Sequence, residues 1–195
     1  MIFGNGNAGV NAVQGICLGC VKMDVYITYV YKYGYAPQIE NVKKIRFDEI
    51  HYDELSIVRE ANADIIFAAG WHKKLLDELI MDYDCFNIHP SLLPKYRGVL
   101  PIEFQLLNKE KYSGVTIHKM NDRFDAGPIY AQQVFSIENV RTVSEFVVLA
   151  SRVTRKMIVD FINNYPNIEG VVQDETQATY YSERDRYLLK GSGLG

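Results

Sequence analysis

Asp64–Ala69, DIIFAA, is an uninterrupted apolar run that stops at Gly70. A run this short and this apolar reads as a strand buried inside a sheet. Asp24–Tyr31 (DVYITYVY), rich in β-branched and aromatic residues, reads as another strand. Met1–Phe3, Lys44–Phe47 and Cys85–Ile88 read as shorter ones, and Gly114–Met120 with Ile129–Ile137 as a hairpin around the Asp125–Pro128 turn. Between them lie helical patterns at Val10–Cys20, at Tyr52–Asn62 with Leu55, Ile57 and Val58 inward, and at His72–Met81. Pro101 suits the first turn of a helix through Ile102–Lys109. Thr142-x-x-Glu145 is a capping box before the longest helix, whose Phe146, Ala150, Val153, Met157 and Phe161 form one stripe. Gln173–Tyr181 is expected to be a last strand. Strands separated by helices predict an α/β domain with a mostly parallel sheet. In such sheets sites form beyond the carboxyl ends of strands. The loops after Ala69, Ile88 and Met120 are therefore the places to look for chemistry.

With 195 residues the expectation is one domain, 165–195 being a short C-terminal extension. A net charge of −3 with dispersed basic residues argues against a dedicated nucleic-acid binder. No apolar run reaches the roughly 18 residues of a membrane span, and the N-terminus has no signal-peptide pattern. Three cysteines without an export signal predict a reducing, cytoplasmic compartment. Cys17-Leu18-Gly19-Cys20 has C-x-x-C spacing but no second pair to complete a zinc site. Gly4-Asn5-Gly6-Asn7-Ala8-Gly9 fits G-x-G-x-x-G letter for letter. The preceding strand is only three residues long, and no acidic residue ends the second strand, so a dinucleotide site is not favoured.

The segment Phe86-Asn87-Ile88-His89-Pro90 carries more chemistry. Asn87 and His89 are two apart, which on a strand puts both side chains on one face. An amide beside an imidazole can hold an oxyanion, and the imidazole can move a proton. Asp125 precedes the Gly127-Pro128 turn. A buried carboxylate near His89 would orient it and favour its cation. Singly, each residue also has a structural reading, as a strand-end histidine or a turn former. His72, His89 and His118 with Asp125 show no zincin-type spacing, and no metal is expected.

The strings FNIHPSLLPKYRGVLPIEFQLLN and SGVTIHKMNDRFDAGPIYAQQ resemble the folate-dependent N-formyltransferases. The family hallmark is Asn-x-His-Pro-Ser-Leu-Leu-Pro with a later aspartate in an Asp-x-Gly-Pro-like turn. The resemblance is close over Asp64–Ser136. It implies a Rossmann-like, mostly parallel twisted sheet flanked by helices, with Asn87, His89 and Asp125 catalytic. It implies 10-formyltetrahydrofolate as donor and an amine as acceptor, with no metal. It places the folate against Trp71, His72, Lys73 and Leu75 and against the Asn121–Asp125 loop, including Asp122 and Phe124. The first strand is shorter than is usual in the family, and Asn121 stands where purine-pathway members often carry aspartate.

Among acceptors, a nucleotide-linked amino sugar is favoured over glycinamide ribonucleotide. Arg97–Glu103 and Ala178-Thr179-Tyr180-Tyr181 are similar to the sugar and tRNA branches. The length, too short for the further C-terminal domain of the tRNA-modifying branch, and the mild acidity count against tRNA. Fourteen tyrosines offer rings that can stack on a base or sugar. The expected partner is thus a small molecule, with no nucleic acid and no membrane, and a homodimer is left open. A formyl-folate hydrolase and a non-catalytic binding module remain as alternatives.

Overall fold

The computed structural model describes residues 1–4, 26–29, 44–47, 54–71 and 74–194. Strands β1 (Ile2–Gly4), β2 (Tyr26–Tyr29), β3 (Lys44–Phe47), β4 (Ile65–Ala69), β5 (Asp84–His89), β7 (Tyr112–Lys119) and β8 (Ile129–Ser136) form one sheet in the order β3-β2-β1-β4-β5-β7-β8. The first five in that order run parallel; β7 and β8 are antiparallel additions. A second, parallel pair joins β6 (Arg97–Gly98) to β9 (Tyr180–Tyr181). Among the described residues the α-helices are α1 (Glu54–Ala61), α2 (Asp77–Asp82), α3 (Pro101–Leu107) and α4 (Val143–Asn164). The α/β, mostly parallel architecture is thus the observed one.

Two-sided burial explains the apolar runs. Successive strand residues point to opposite faces. Ile2, Phe67 and Phe86 pack on one face with Phe146, Met157 and Phe161 of α4. Their neighbours Phe3, Ile66 and Cys85 pack on the other with Val58 of α1 and Leu79 of α2. Phe86 meets Phe161 at 4.8 Å and Tyr130 at 5.1 Å between ring centroids. Edge-to-face pairs of this kind add roughly 0.5–1.5 kcal/mol each beyond burial. They brace β5 directly beneath Asn87. Burial also pushes the Cys85 thiol up to about 12, so it packs as an inert small group. Cys17, Cys20, the Val10–Cys20 pattern and positions 5–9 of the glycine motif lie outside the described residues, as does the side chain of Ile57.

The capping box is formed. Thr142 Oγ1 accepts from Glu145 N–H at 3.2 Å, and Glu145 Oε2 accepts from Thr142 N–H at 3.1 Å. Phe146, Ala150, Met157 and Phe161 are buried along α4, and half-buried Val153 packs on the same cluster. Thr142→Ala should cost about 1 kcal/mol. A thermal melt should show the midpoint falling by roughly 2–4 °C.

Two expectations change. The helix expected from His72 begins at Asp77, because Leu76 is extended (φ −57°, ψ 140°) and the acidic Asp77 and Glu78 suit a helix N-terminus. The expected strand Gln173–Tyr181 becomes a 3-10 turn, Glu175–Gln177, followed by the short β9. There the Asp174 side chain accepts from Thr176 N–H, offering the backbone a turn in place of a ladder. Among the described residues no helix is long and apolar enough to cross a membrane.

Candidate active site

A cavity of about 540 Å³ opens beyond the carboxyl ends of β4 and β5. Its wall draws on the loop after β4 (Gly70, Trp71), on Pro90 after β5 and on the Asn121–Asp125 loop after β7. These are the three loops that the sequence pattern singles out. The register explains the arrangement. Ala68 of β4 lies opposite Asn87 of β5, which lies opposite His118 of β7. The β7–β8 register shifts between Ile117 and His118, where Tyr130 of β8 is passed over. Pro90 ends β5 immediately after His89.

Asn87, His89 and Asp125 come together, and His118 joins them. Asn87 Nδ2 donates to Asp125 Oδ1 at 2.9 Å and stands 3.3 Å from His118 Nε2. His118 Nδ1 lies 3.1 Å from the Lys119 carbonyl. A carbonyl only accepts, so Nδ1 carries a proton, and Nε2 can accept from Asn87 when it carries none. Asp125 Oδ1 is also 3.3 Å from His118 Nε2 and 3.6 Å from His89 Nδ1. The latter is too long for a hydrogen bond. Asp125 Oδ2 accepts from Gly98 N–H at 2.8 Å. His89 Nε2 donates to the Tyr96 carbonyl at 2.7 Å, which leaves Nδ1 turned toward Asp125.

Burial tends to raise the Asp125 pKa. In the acid range where Asp125 itself titrates, the charges of protonated His89 and His118 and the Gly98 N–H outweigh it and hold the carboxyl well below the usual carboxylate range. His89 shifts the other way from the sequence expectation. Its own burial pushes its pKa down, and Asp125 and the Tyr96 carbonyl only partly restore it. A buried imidazolium loses more hydration than one carboxylate at 3.6 Å returns. The resting pair is an Asp125 carboxylate beside a neutral His89 whose Nδ1 can take a proton.

Of the residues expected at the folate, half-buried Trp71 lines the cavity and packs edge-on to Phe3 at 5.4 Å. Asp122 and Phe124 also line it, with Phe124 54% exposed. Leu75 does not border the cavity. It is 1% exposed in the core with Val58, Ile66 and Leu79, because its apolar side chain fills the space under α2. His72 and Lys73 lie outside the described residues. Among the described residues no group of three or more His, Cys, Asp or Glu is disposed to hold a metal ion. Sequence reasoning placed His118 only among candidate metal ligands and passed over Gly98. The signal for His118 is its place near the end of a predicted strand, but its partner depends on the pairing register of β7 with β5, which is not local in sequence.

The family model described as formyl transferase matches residues 39–162. This chain belongs to the formyl transferase family. Methionyl-tRNA formyltransferase of Thermotoga neapolitana is 36% identical over 132 residues, covering 66% of this chain and 42% of the relative. The chain thus spans less than half the length of that relative. In fold it is similar to an N-formyltransferase from Helicobacter canadensis in complex with folinic acid and dTDP-3-aminofucose. That structure has a TM-score of 0.70 and 23% identity, covering 94% of this chain and 70% of the other. A 4-N formyltransferase from Francisella tularensis has a TM-score of 0.72 and 21% identity, covering 94% and 76%. In this member of the family, the Asn-x-His strand, the hairpin and the aspartate turn between β7 and β8 all fall inside the matched span.

Proposed function

We propose that this chain is the catalytic domain of a folate-dependent N-formyltransferase, with 165–195 as a short extension that closes over it. The observation that carries the reading is the cluster of Asn87, His89, His118 and Asp125 on the wall of one cavity in a chain of this family. The formyl donor is 10-formyltetrahydrofolate, and Trp71, Asp122 and Phe124 border its pterin. An uncharged primary amine attacks the formyl carbon and its electron pair forms the new C–N bond. The carbonyl π electrons move to oxygen, giving a tetrahedral oxyanion. Asn87 faces that oxygen as a donor, once it releases His118 or Asp125. The proton from the attacking nitrogen passes to His89 Nδ1, where Asp125 stabilises the imidazolium. Collapse breaks the bond to the folate nitrogen, which leaves with a proton from the same imidazolium.

The acceptor we favour is an amino sugar carried on a nucleotide. It is supported by the ligand named for the Helicobacter canadensis neighbour and by Tyr180, 57% exposed on the cavity wall. The second reading is methionyl-tRNA, supported by the 36% identical relative. The deciding experiment offers 10-formyltetrahydrofolate with dTDP-linked amino sugars, glycinamide ribonucleotide or charged initiator tRNA. A nucleotide-linked sugar should gain the formyl mass. Formylation of tRNA alone would replace the sugar reading, and formate release without acceptor would show a hydrolase.

A further inference from the structure

Asp125 has φ 53°, left-handed backbone that is costly for a residue with a Cβ and persists only when its surroundings over-determine it. Four groups surround its carboxylate, yet its backbone is held from elsewhere. Gln173, 48 positions later and 5% exposed, donates its two amide hydrogens to the carbonyls of Asp125 (2.9 Å) and Gly127 (2.7 Å). The Gln173 oxygen accepts from Arg97 Nε at 3.1 Å and from an Arg97 terminal nitrogen at 2.8 Å. Arg97, 3% exposed, also donates to both oxygens of Glu175, at 3.1 and 2.9 Å. Glu175 in turn accepts from Arg123, on the same loop as Asp125, at 3.1 Å. Arg97 is followed by Gly98, whose N–H grips the Asp125 carboxylate. The loop is therefore held at its backbone through Gln173 and at its side chain through Gly98, and both holds converge on residues 97 and 98.

We propose that Gln173 is a positioning residue: it sets the Asp125 carboxylate within reach of His89, with Arg97 orienting its amide. The activity readout rests on the formyl-transfer reading; a second readout does not. Gln173→Glu preserves size and the acceptor for Arg97 but removes both donors and sets a carboxylate against two carbonyls. Gln173→Ala removes all four bonds. Both variants should lower kcat roughly 10- to 100-fold, as displacement of a reacting group by about 1 Å can. KM for 10-formyltetrahydrofolate should stay within a few-fold. NMR titration of the His89 ring in folded Gln173→Ala should shift to lower pH, because Asp125 is the carboxylate that holds its pKa up. Wild-type kcat in Gln173→Glu, or an unshifted His89 titration in folded Gln173→Ala, overturns the proposal. If the wild-type protein formylates no acceptor, the formyl-transfer reading fails, and the His89 titration still decides the role of Gln173.

Discussion

Asp125→Asn is expected to lower the rate of formyl transfer by roughly 10²- to 10⁴-fold, the range for loss of a positioned acid–base group. The substitution keeps the shape and reverses half of the hydrogen-bonding character. Asp125 Oδ1 faces Asn87 Nδ2, His118 Nε2 and His89 Nδ1, while Oδ2 accepts from Gly98 N–H. An amide must place its NH2 against one of these sets. Turned one way it confronts the Asn87 amide; turned the other it confronts the Gly98 N–H. The imidazolium that forms at His89 also loses its counter-charge. Folate binding should change only a few-fold, because Trp71 and Phe124 occupy another part of the wall. Single-turnover transfer with saturating folate measures the effect, and a rate within tenfold of wild type would contradict it. The folded pKa of Asp125 is depressed from its ordinary 3.8. Its ionic stabilisation is therefore present above that value and lost as pH falls below it. The Asn variant should lack that acid-side loss.

Gly98→Ala should cost about 3–5 kcal/mol of stability, combining left-handed strain with a backbone collision. Gly98 has φ 90°, and a Cβ there would lie 2.0 Å from the Tyr181 carbonyl oxygen and 3.0 Å from the Tyr180 ring. The carbonyl cannot readily retreat, since it accepts from Val99 N–H at 3.0 Å. The β6–β9 pair must therefore open. Opening it loosens Tyr181, whose ring stacks on Phe104 at 3.9 Å, and draws the Gly98 N–H off Asp125. Denaturant melts should show the loss, and a change below about 1 kcal/mol would refute this account of the clash. Activity should fall as well, because one hold on the aspartate is gone.

Much of the sheet was legible because its signals are local. The Ile65–Ala69 strand lies within the apolar run, and Lys44–Phe47 has the bounds its residue types suggested. The box at Thr142 starts α4 because its two partners are three residues apart. The misreadings share one cause. Leu75 and Leu76 fall at helical spacing from Leu79 and Ile80, but Leu75 packs into the core and Leu76 turns outward ahead of an acidic helix start. Gln173–Tyr181 has strand-like residues, but Asp174 supplies a local turn and Arg97 claims Gln173. The tyrosines divide similarly. Tyr96 is buried with its hydroxyl donating to Glu110 at 2.7 Å, and Tyr181 is stacked, so both serve packing. Tyr180 alone of these three lines the cavity.

Period-two geometry was enough to put Asn87 and His89 on one face of β5, and Pro90 was enough to end the strand there. Those conclusions concern neighbours in sequence, whose relative directions are set by backbone dihedrals. The partners that make the site are remote: His118 lies 31 positions from Asn87, Asp125 lies 38, and Gly98 reaches Asp125 across 27. Their distances depend on strand register and on the paths of the loops after β5 and β7. Even the charge of His89 was decided by enclosure, since spacing can bring a carboxylate near but cannot weigh its attraction against the lost water. The sequence alone determined which residues could do the chemistry; tertiary structure decided which of them meet and in what protonation state.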